Sequence, residues 1–358
     1  MLRMQIPEVD IKQLFDNVNI VTNYIINSSE TYKDFLRFSG GFINEQGKGE
    51  CYTIANQLLI YGFNNQARLV MDERAWDERG VHIIKPFEPI HVMQKTKEGY
   101  KDRVVYDISS TDAVISDYIH DYKGVDQGVK CEALIRSSPC KIEYSAKTPP
   151  GRADYSFRED RVTFNRGFRS LEWVYMELSR VYGHYYLCQN ESKNHIDKYK
   201  NKTQQDTDGK LRKQKLFKSV DGKFYELSPT DIVKKDSRGH EFVLDRDDNG
   251  DLCKRHVVRK QIEVPDRENN VPAFHYNKGV NDGRTIEISY MTSVAAGLDV
   301  SSYPDFNNLK WREMDFPEVR KELDSVVNIA RLIKSRYEDA LLSDSSAENI
   351  SNYDAEIG

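Results

Sequence analysis

The sequence predicts an α+β fold in two domains, and three observations carry that expectation. Apolar residues recur at helical spacing in the opening and closing segments. Short alternating or β-rich runs bounded by turn residues lie between them. The 358 residues suit two domains rather than one, at the usual size of about 100–200 residues each.

Taken in order, Ile11, Leu14, Phe15, Val18, Val21, Ile25 and Ile26 mark a helix between Val9 and Phe38, with a break at Ser28-Ser29. Gly40-Gly41 reads as a loop, and Tyr52–Tyr61 as a buried helix. His82-Ile83-Ile84, Pro89–Val92 and Val104–Ile108 read as strands. The stretch from Asp112 to Arg136 is again helical in pattern, followed by strands at Cys140–Tyr144 and Arg161–Phe164 and a helix over Leu171–Cys188. A polar insertion, 190–270, carries the turn signals Asp221-Gly222, Ser237-Arg238-Gly239 and Asp248-Asn249-Gly250, so β-hairpins are expected there. A helix follows near Arg284–Gly297. The last one opens with Pro317 in its first turn and carries Val319, Leu323, Val326, Val327, Ala330, Ile333, Tyr337 and Leu341 on one face. The expected divisions are 1–115, 116–342 with the insertion 190–270, and a disordered polar tail, 343–358.

Hydrophobic residues make up 39% and charged residues 30%, and 21 tyrosines supply material for packed cores. A net charge of −5 excludes a uniformly basic nucleic-acid binder without excluding a local basic groove. No apolar run reaches the roughly 20 residues that span a bilayer, and no apolar segment follows Met1–Pro7 as a secretory signal would require. The five cysteines are dispersed and form no CxxC pair. A cytoplasmic protein without membrane contact is expected.

Two groups of residues resemble a known family. Tyr52-Thr53-Ile54-Ala55-Asn56-Gln57, then Arg74-Ala75-Trp76, Gly80 and Lys85-Pro86, with Tyr106–Thr111 closing the segment, resembles the N-terminal domain of ArdC-like and LtrC-like antirestriction or conjugative-element proteins. Arg161–Leu187 together with Thr285–Tyr303, including Gly297-Leu298-Asp299-Val300-Ser301-Ser302-Tyr303, resembles the zincin-like metallopeptidase domain that follows it. The matches leave the insertion outside. The resemblance implies a module that binds single-stranded DNA, with Tyr52, Asn56, Gln57, Arg68, Arg74, Trp76 and Lys85 as its candidate contacts, ahead of a peptidase-type domain.

The peptidase chemistry fails at the ligand positions. An active zincin needs His-Glu-x-x-His, because His at i and i+4 share one helix face and the Glu activates the metal-bound water. Here that stretch reads Met176-Glu177-Leu178-Ser179-Arg180. Glu177 keeps the general-base position, but a thioether is a poor zinc ligand and a guanidinium offers no lone pair. Arg180 is expected to pair with Glu177 or another carboxylate in the old cavity. The third ligand implied by the resemblance falls on Ile286, with Glu287 displaced by one residue and so turned by about 100°. His184, eight residues after Met176, is read as a packed or hydrogen-bonded histidine. No metal and no cofactor are expected. None of the eight histidines forms a close pair at ligand spacing. Asp245–Gly250 resembles the start of a calcium loop, but its twelfth position is His256, so a hairpin turn is the better reading.

Single-strand binding needs cations for phosphates and aromatic faces for bases. Arg74 and Trp76, two apart in an expected strand, would share such a face. A second basic stretch, Lys193–Lys223, holds ten Lys or Arg against four Asp, a net +6; it reads either as a solvated linker or as a phosphate-contacting arm. The expected function is a non-catalytic, single-stranded-DNA-associated accessory protein of antirestriction type from a mobile genetic element. The rival readings are an active zinc metallopeptidase that cleaves a host or element protein, and a former protease that recognises a protein without cutting it.

Overall fold

The computed structural model describes residues 9–45, 52–84, 89–118, 122–205, 212–218, 224–227, 232–246, 252–262, 274–301, 303, 306 and 314–356. Its class is α+β. The chain divides into two units, one built from Met1–Gly183 and Gly283–Gly358, the other from His184–Asp282.

In the first unit, helix α1 (Ile11–Ile26) is capped by the Asp10 carboxylate, which accepts from the Lys12 amide. It buries Leu14, Val18, Thr22 and Ile25, a four-four-three spacing that keeps one face inward. The expected break at Ser28-Ser29 is real: the Ser28 hydroxyl accepts from the Thr31 amide and opens α2 (Ser29–Glu45). The expected loop at Gly40-Gly41 is not, since α2 runs through both glycines. A Cβ on Gly40 would stand 2.9 Å from the Met291 carbonyl oxygen, so glycine here lets two helix backbones approach.

Helix α3 (Ile54–Phe63) is buried along most of its length. Strands β1 (Val70–Met71), β2 (Ile90–Thr96) and β3 (Gly99–Asp107) form an antiparallel sheet in the order β1-β3-β2. His82-Ile83-Ile84 contributes only a single bridge, Ile83 to Thr111. Arg74 and Trp76, expected in a strand, lie in the short helix α4 (Glu73–Asp77), because the Asp72 carboxylate caps that turn through the Ala75 amide. The helical pattern from Asp112 likewise shrinks to α5 (Gln127–Arg136), which starts where Asp126 caps it.

A mixed sheet follows, β4 (Lys141–Tyr144), β5 (Ala153–Ser156) and β6 (Arg161–Phe164), with β6 central, parallel to β4 and antiparallel to β5. Helix α6 begins at Leu171 and continues to Gln205, well past the apolar stretch that predicts it. Helix α7 (Lys278–Ala295) ends at Gly297, whose φ of +65° suits the left-handed position after a helix; the Leu298 amide returns to the Ser293 carbonyl. Helix α8 (Phe316–Glu356) is opened by Asp315, which accepts from the Glu318 amide, and it runs on past Leu342 through the polar residues set apart in the sequence as a tail. Its buried stripe of Val319, Leu323, Val326, Val327, Ala330, Ile333 and Tyr337 packs against α1, α2, α3 and α5.

The second unit contains a five-stranded antiparallel sheet ordered β8-β7-β11-β10-β9, with β7 at Arg212–Lys218, β8 at Phe224–Glu226, β9 at Lys234–Lys235, β10 at Glu241–Arg246 and β11 at Leu252–Ile262. The candidate calcium segment begins within β10, where Asp245 pairs with Cys253 and Arg246 with Leu252. The turn beyond it lies outside the described residues.

Gly40→Ala should destabilise the fold by about 1–3 kcal/mol through overpacking. Gly41→Ala, whose added Cβ meets nothing within 4 Å, should be neutral or stabilising by up to about 1 kcal/mol. Urea denaturation of the pair checks the assignment.

Candidate functional site

Glu177 sits on the inward face of α6, 4% exposed. The Arg152 guanidinium donates to its Oε1 at 2.7 Å and that of Arg180 to its Oε2 at 2.9 Å. The Ala153 amide donates to Oε2 at 3.4 Å, and Arg180 also donates to the Ala153 carbonyl at 3.0 Å. The carboxylate is thus held by two cations and a backbone amide, all from the first unit. Arg180 is the partner the sequence leads one to expect. Arg152 is not, since it comes from the start of β5 and only the sheet brings it to α6.

The positions that the sequence resemblance assigns to metal ligands are occupied by groups that hold the core together. Met176 is buried, and its carbonyl accepts from the Ser289 hydroxyl of α7 at 2.8 Å. Ser289 also lies 3.0 Å from the Ser179 hydroxyl and 2.7 Å from that of Tyr303, and Ser293 lies 2.8 Å from Tyr303. This buried hydroxyl chain ties α6 to α7 and to the segment after Gly297. Ile286 is half-buried and apolar. Glu287 is turned into a different environment with Tyr32, Arg284 and Glu322, where burial pushes its carboxyl up to about 8 against the hydrogen bond from Tyr32 and the charge of Arg284. Arg284 and Glu322 form an ion pair beside it.

His184 belongs to the second unit and is 1% exposed. One ring nitrogen lies 2.9 Å from the Tyr276 hydroxyl and the other 3.3 Å from an Asp282 carboxylate oxygen. Both nitrogens are therefore engaged. Among the described residues no three His, Cys, Asp or Glu side chains gather closely enough to hold a metal ion. Burial also pushes the Cys131 and Cys140 thiols up to about 11, so neither offers a thiolate at neutral pH.

The candidate DNA contacts fall into three groups. Tyr52, Asn56, Gln57 and Trp76 are buried. The Asn56 amide exchanges two 2.9 Å bonds with the Met93 backbone, fastening α3 to β2. Gln57 accepts from Ser39 at 2.7 Å and donates to the Tyr52 carbonyl at 3.0 Å, while the Tyr52 hydroxyl reaches the Val70 carbonyl at 3.1 Å. Trp76 packs with Leu69, Val81 and Ile108 and donates to the Tyr106 carbonyl at 3.1 Å. The expected Arg74–Trp76 face does not form, because residues two apart on a helix point about 200° apart. Arg74 is exposed and pairs with Glu78 at 2.8 Å, and Arg68 is also exposed. Lys85 lies outside the described residues.

No family model matches the chain, and no curated protein matches it. Among solved structures, the chain is similar to the antirestriction ArdC protein from the R388 plasmid in its Mn(II)-bound form, at 13% identity and a TM-score of 0.46 over 93% of this chain and 98% of that one. The metal-free form of the same protein gives 13% identity and a TM-score of 0.42 over 91% and 99%. Among the described residues no helix is long and apolar enough to cross a membrane.

Removing the acid from the Glu177 cluster should cost more than removing its exposed partner. Glu177→Ala should lose about 2–3 kcal/mol by leaving Arg180 without its carboxylate, and Arg152→Ala, whose side chain is 54% exposed, about 1 kcal/mol or less. For Glu287 the folded carboxyl holds its proton more tightly than the unfolded one, so its contribution is fully present below the ordinary carboxylate range and is lost as pH rises toward about 8. Glu287→Gln should flatten that loss, and chemical denaturation at pH 5, 6.5 and 8 would reveal it.

Proposed function

We propose that this chain is a non-catalytic, DNA-associated accessory protein of antirestriction type from a mobile genetic element, built on a zincin-like scaffold that no longer hydrolyses peptides. The observation that carries the non-catalytic half is the Arg152–Glu177–Arg180 cluster. Glu177 is only 4% exposed and its oxygens accept three protein hydrogen bonds, which compete with the water a general base would have to engage. Met176, Arg180 and Ile286 at the ligand positions supply no donor suited to zinc.

The DNA half is supported by the motif resemblance and by charge distribution. The five strands of the second unit carry eleven Lys or Arg against three Asp or Glu, a net +8 in a chain whose total is −5. Lys215 stands directly opposite Arg259 in the β7–β11 register. Single-stranded DNA supplies phosphates of the opposite charge. A host or element protein held in the old cleft without cleavage is the rival partner.

Anisotropy of a labelled single-stranded oligonucleotide, titrated at several salt concentrations, tests the DNA half. Tight binding at low salt is expected, with log K falling by about 0.7 per neutralised phosphate for each tenfold rise in salt. Absence of binding at low salt would sink it. One equivalent of zinc retained through dialysis, together with a peptidase activity abolished by Glu177→Gln, would overturn the non-catalytic half.

A further inference from the structure

The rim around Glu177 carries a second feature that the peptidase-like reading leaves unused. Tyr144, at the end of edge strand β4, is 56% exposed, and the Arg166 guanidinium stands over its ring at 5.6 Å. Trp173, in the first turn of α6, has two guanidinium groups over its ring, Arg152 at 5.7 Å and Arg169 at 5.8 Å. Arg152, Arg166 and Arg169 are all exposed. Among the described residues Arg166 and Arg169 have no carboxylate partner, whereas nearby Arg161 is tied to Glu143 and Glu159. Two cations left to aromatic faces beside a paired one are available for an anion.

The segments bearing these groups are held rigidly. The Gly151 amide donates to the Arg166 carbonyl at 2.9 Å, and the Trp173 indole donates to the Gly151 carbonyl at 3.1 Å. Gly151 and Gly167 both have positive φ, and a Cβ on Gly151 would come within 2.7 Å of the Gly167 carbonyl oxygen. Only glycine permits that backbone contact, which sets the spacing between the turn before β5 and the turn before α6.

We infer that this rim, Tyr144, Arg166, Arg169 and Trp173, is the surface of the first unit that takes a single DNA strand, with bases stacking on the aromatic and guanidinium planes and phosphates meeting the arginines. The inference rests on the DNA reading above and deepens it: it places a strand on a surface the N-terminal motif does not name, where four of the motif's own side chains are buried. Stacking on aromatic or guanidinium planes is tolerant of base identity, so a preference for single strands over sequence is expected.

The test compares full-length wild type, Trp173→Ala, Trp173→Phe and the double variant Arg166→Gln/Arg169→Gln for binding a labelled mixed-sequence oligonucleotide. Trp173→Ala should weaken binding about tenfold or more, and Trp173→Phe should restore most of it. The double variant should reduce the slope of log K against log salt by about 1.4, the value for two phosphate contacts on a single strand. It changes only exposed side chains, so it reports on the surface even if Trp173→Ala fails to fold. Wild-type binding with an unchanged salt slope in the double variant would overturn the assignment while leaving the DNA reading intact. No wild-type binding at low salt would remove both. Equal loss for duplex and single strand would also overturn it, because stacking requires unpaired bases.

Discussion

A carboxylate held out of water must be compensated, and in this protein Glu177 is compensated by two arginines. That single requirement organises the middle of the first unit. It draws Arg152, at the start of β5, onto α6 and fixes Arg180 one turn along the same helix. It also places the Ala153 backbone between them, since the amide gives to Glu177 and the carbonyl takes from Arg180. The small mixed sheet and the long helix are thereby joined by charge, while the Ser179–Ser289–Tyr303 hydroxyls join that helix to α7 without any charge at all.

The same cluster connects the interior to the rim. Arg152 is shared: its guanidinium donates to a buried carboxylate and also stands over the half-buried Trp173 ring. An arginine can serve both, because its planar cation offers donors along its edge and a face for stacking.

Several residues that carry the resemblance turn out to have structural work. Asn56 mimics a strand by pairing with both polar groups of Met93, Gly297 ends α7 in a left-handed turn, and Asp299 closes the following turn through Ser301. Their spacing in the sequence reflects hydrogen bonds that must be made inside a core, where an unmade bond costs about 1–3 kcal/mol. Such positions announce a fold more readily than a ligand.

Much of the fold was legible in the sequence alone. The α+β class, the buried stripe of α8, the break at Ser28 and the strands at Cys140–Tyr144 and Arg161–Phe164 all follow from periodicity and capping, which act over a few residues. The chemical poverty of Met176, Arg180 and Ile286 as zinc ligands also follows from residue type. Tertiary structure decided the rest. Arg74–Trp76 became a helix because Asp72 caps it, and Trp76 went inside because Leu69, Val81 and Ile108 were there to receive it. Gly40 lies within a helix rather than a loop, and it faces Met291 of α7 at a distance that leaves no room for a Cβ. Arg152 met Glu177 because a sheet folded back over a helix. Local pattern specifies which residues want to be buried or charged; which partner satisfies each of them depends on contacts between segments far apart in the chain, and no short-range spacing encodes those.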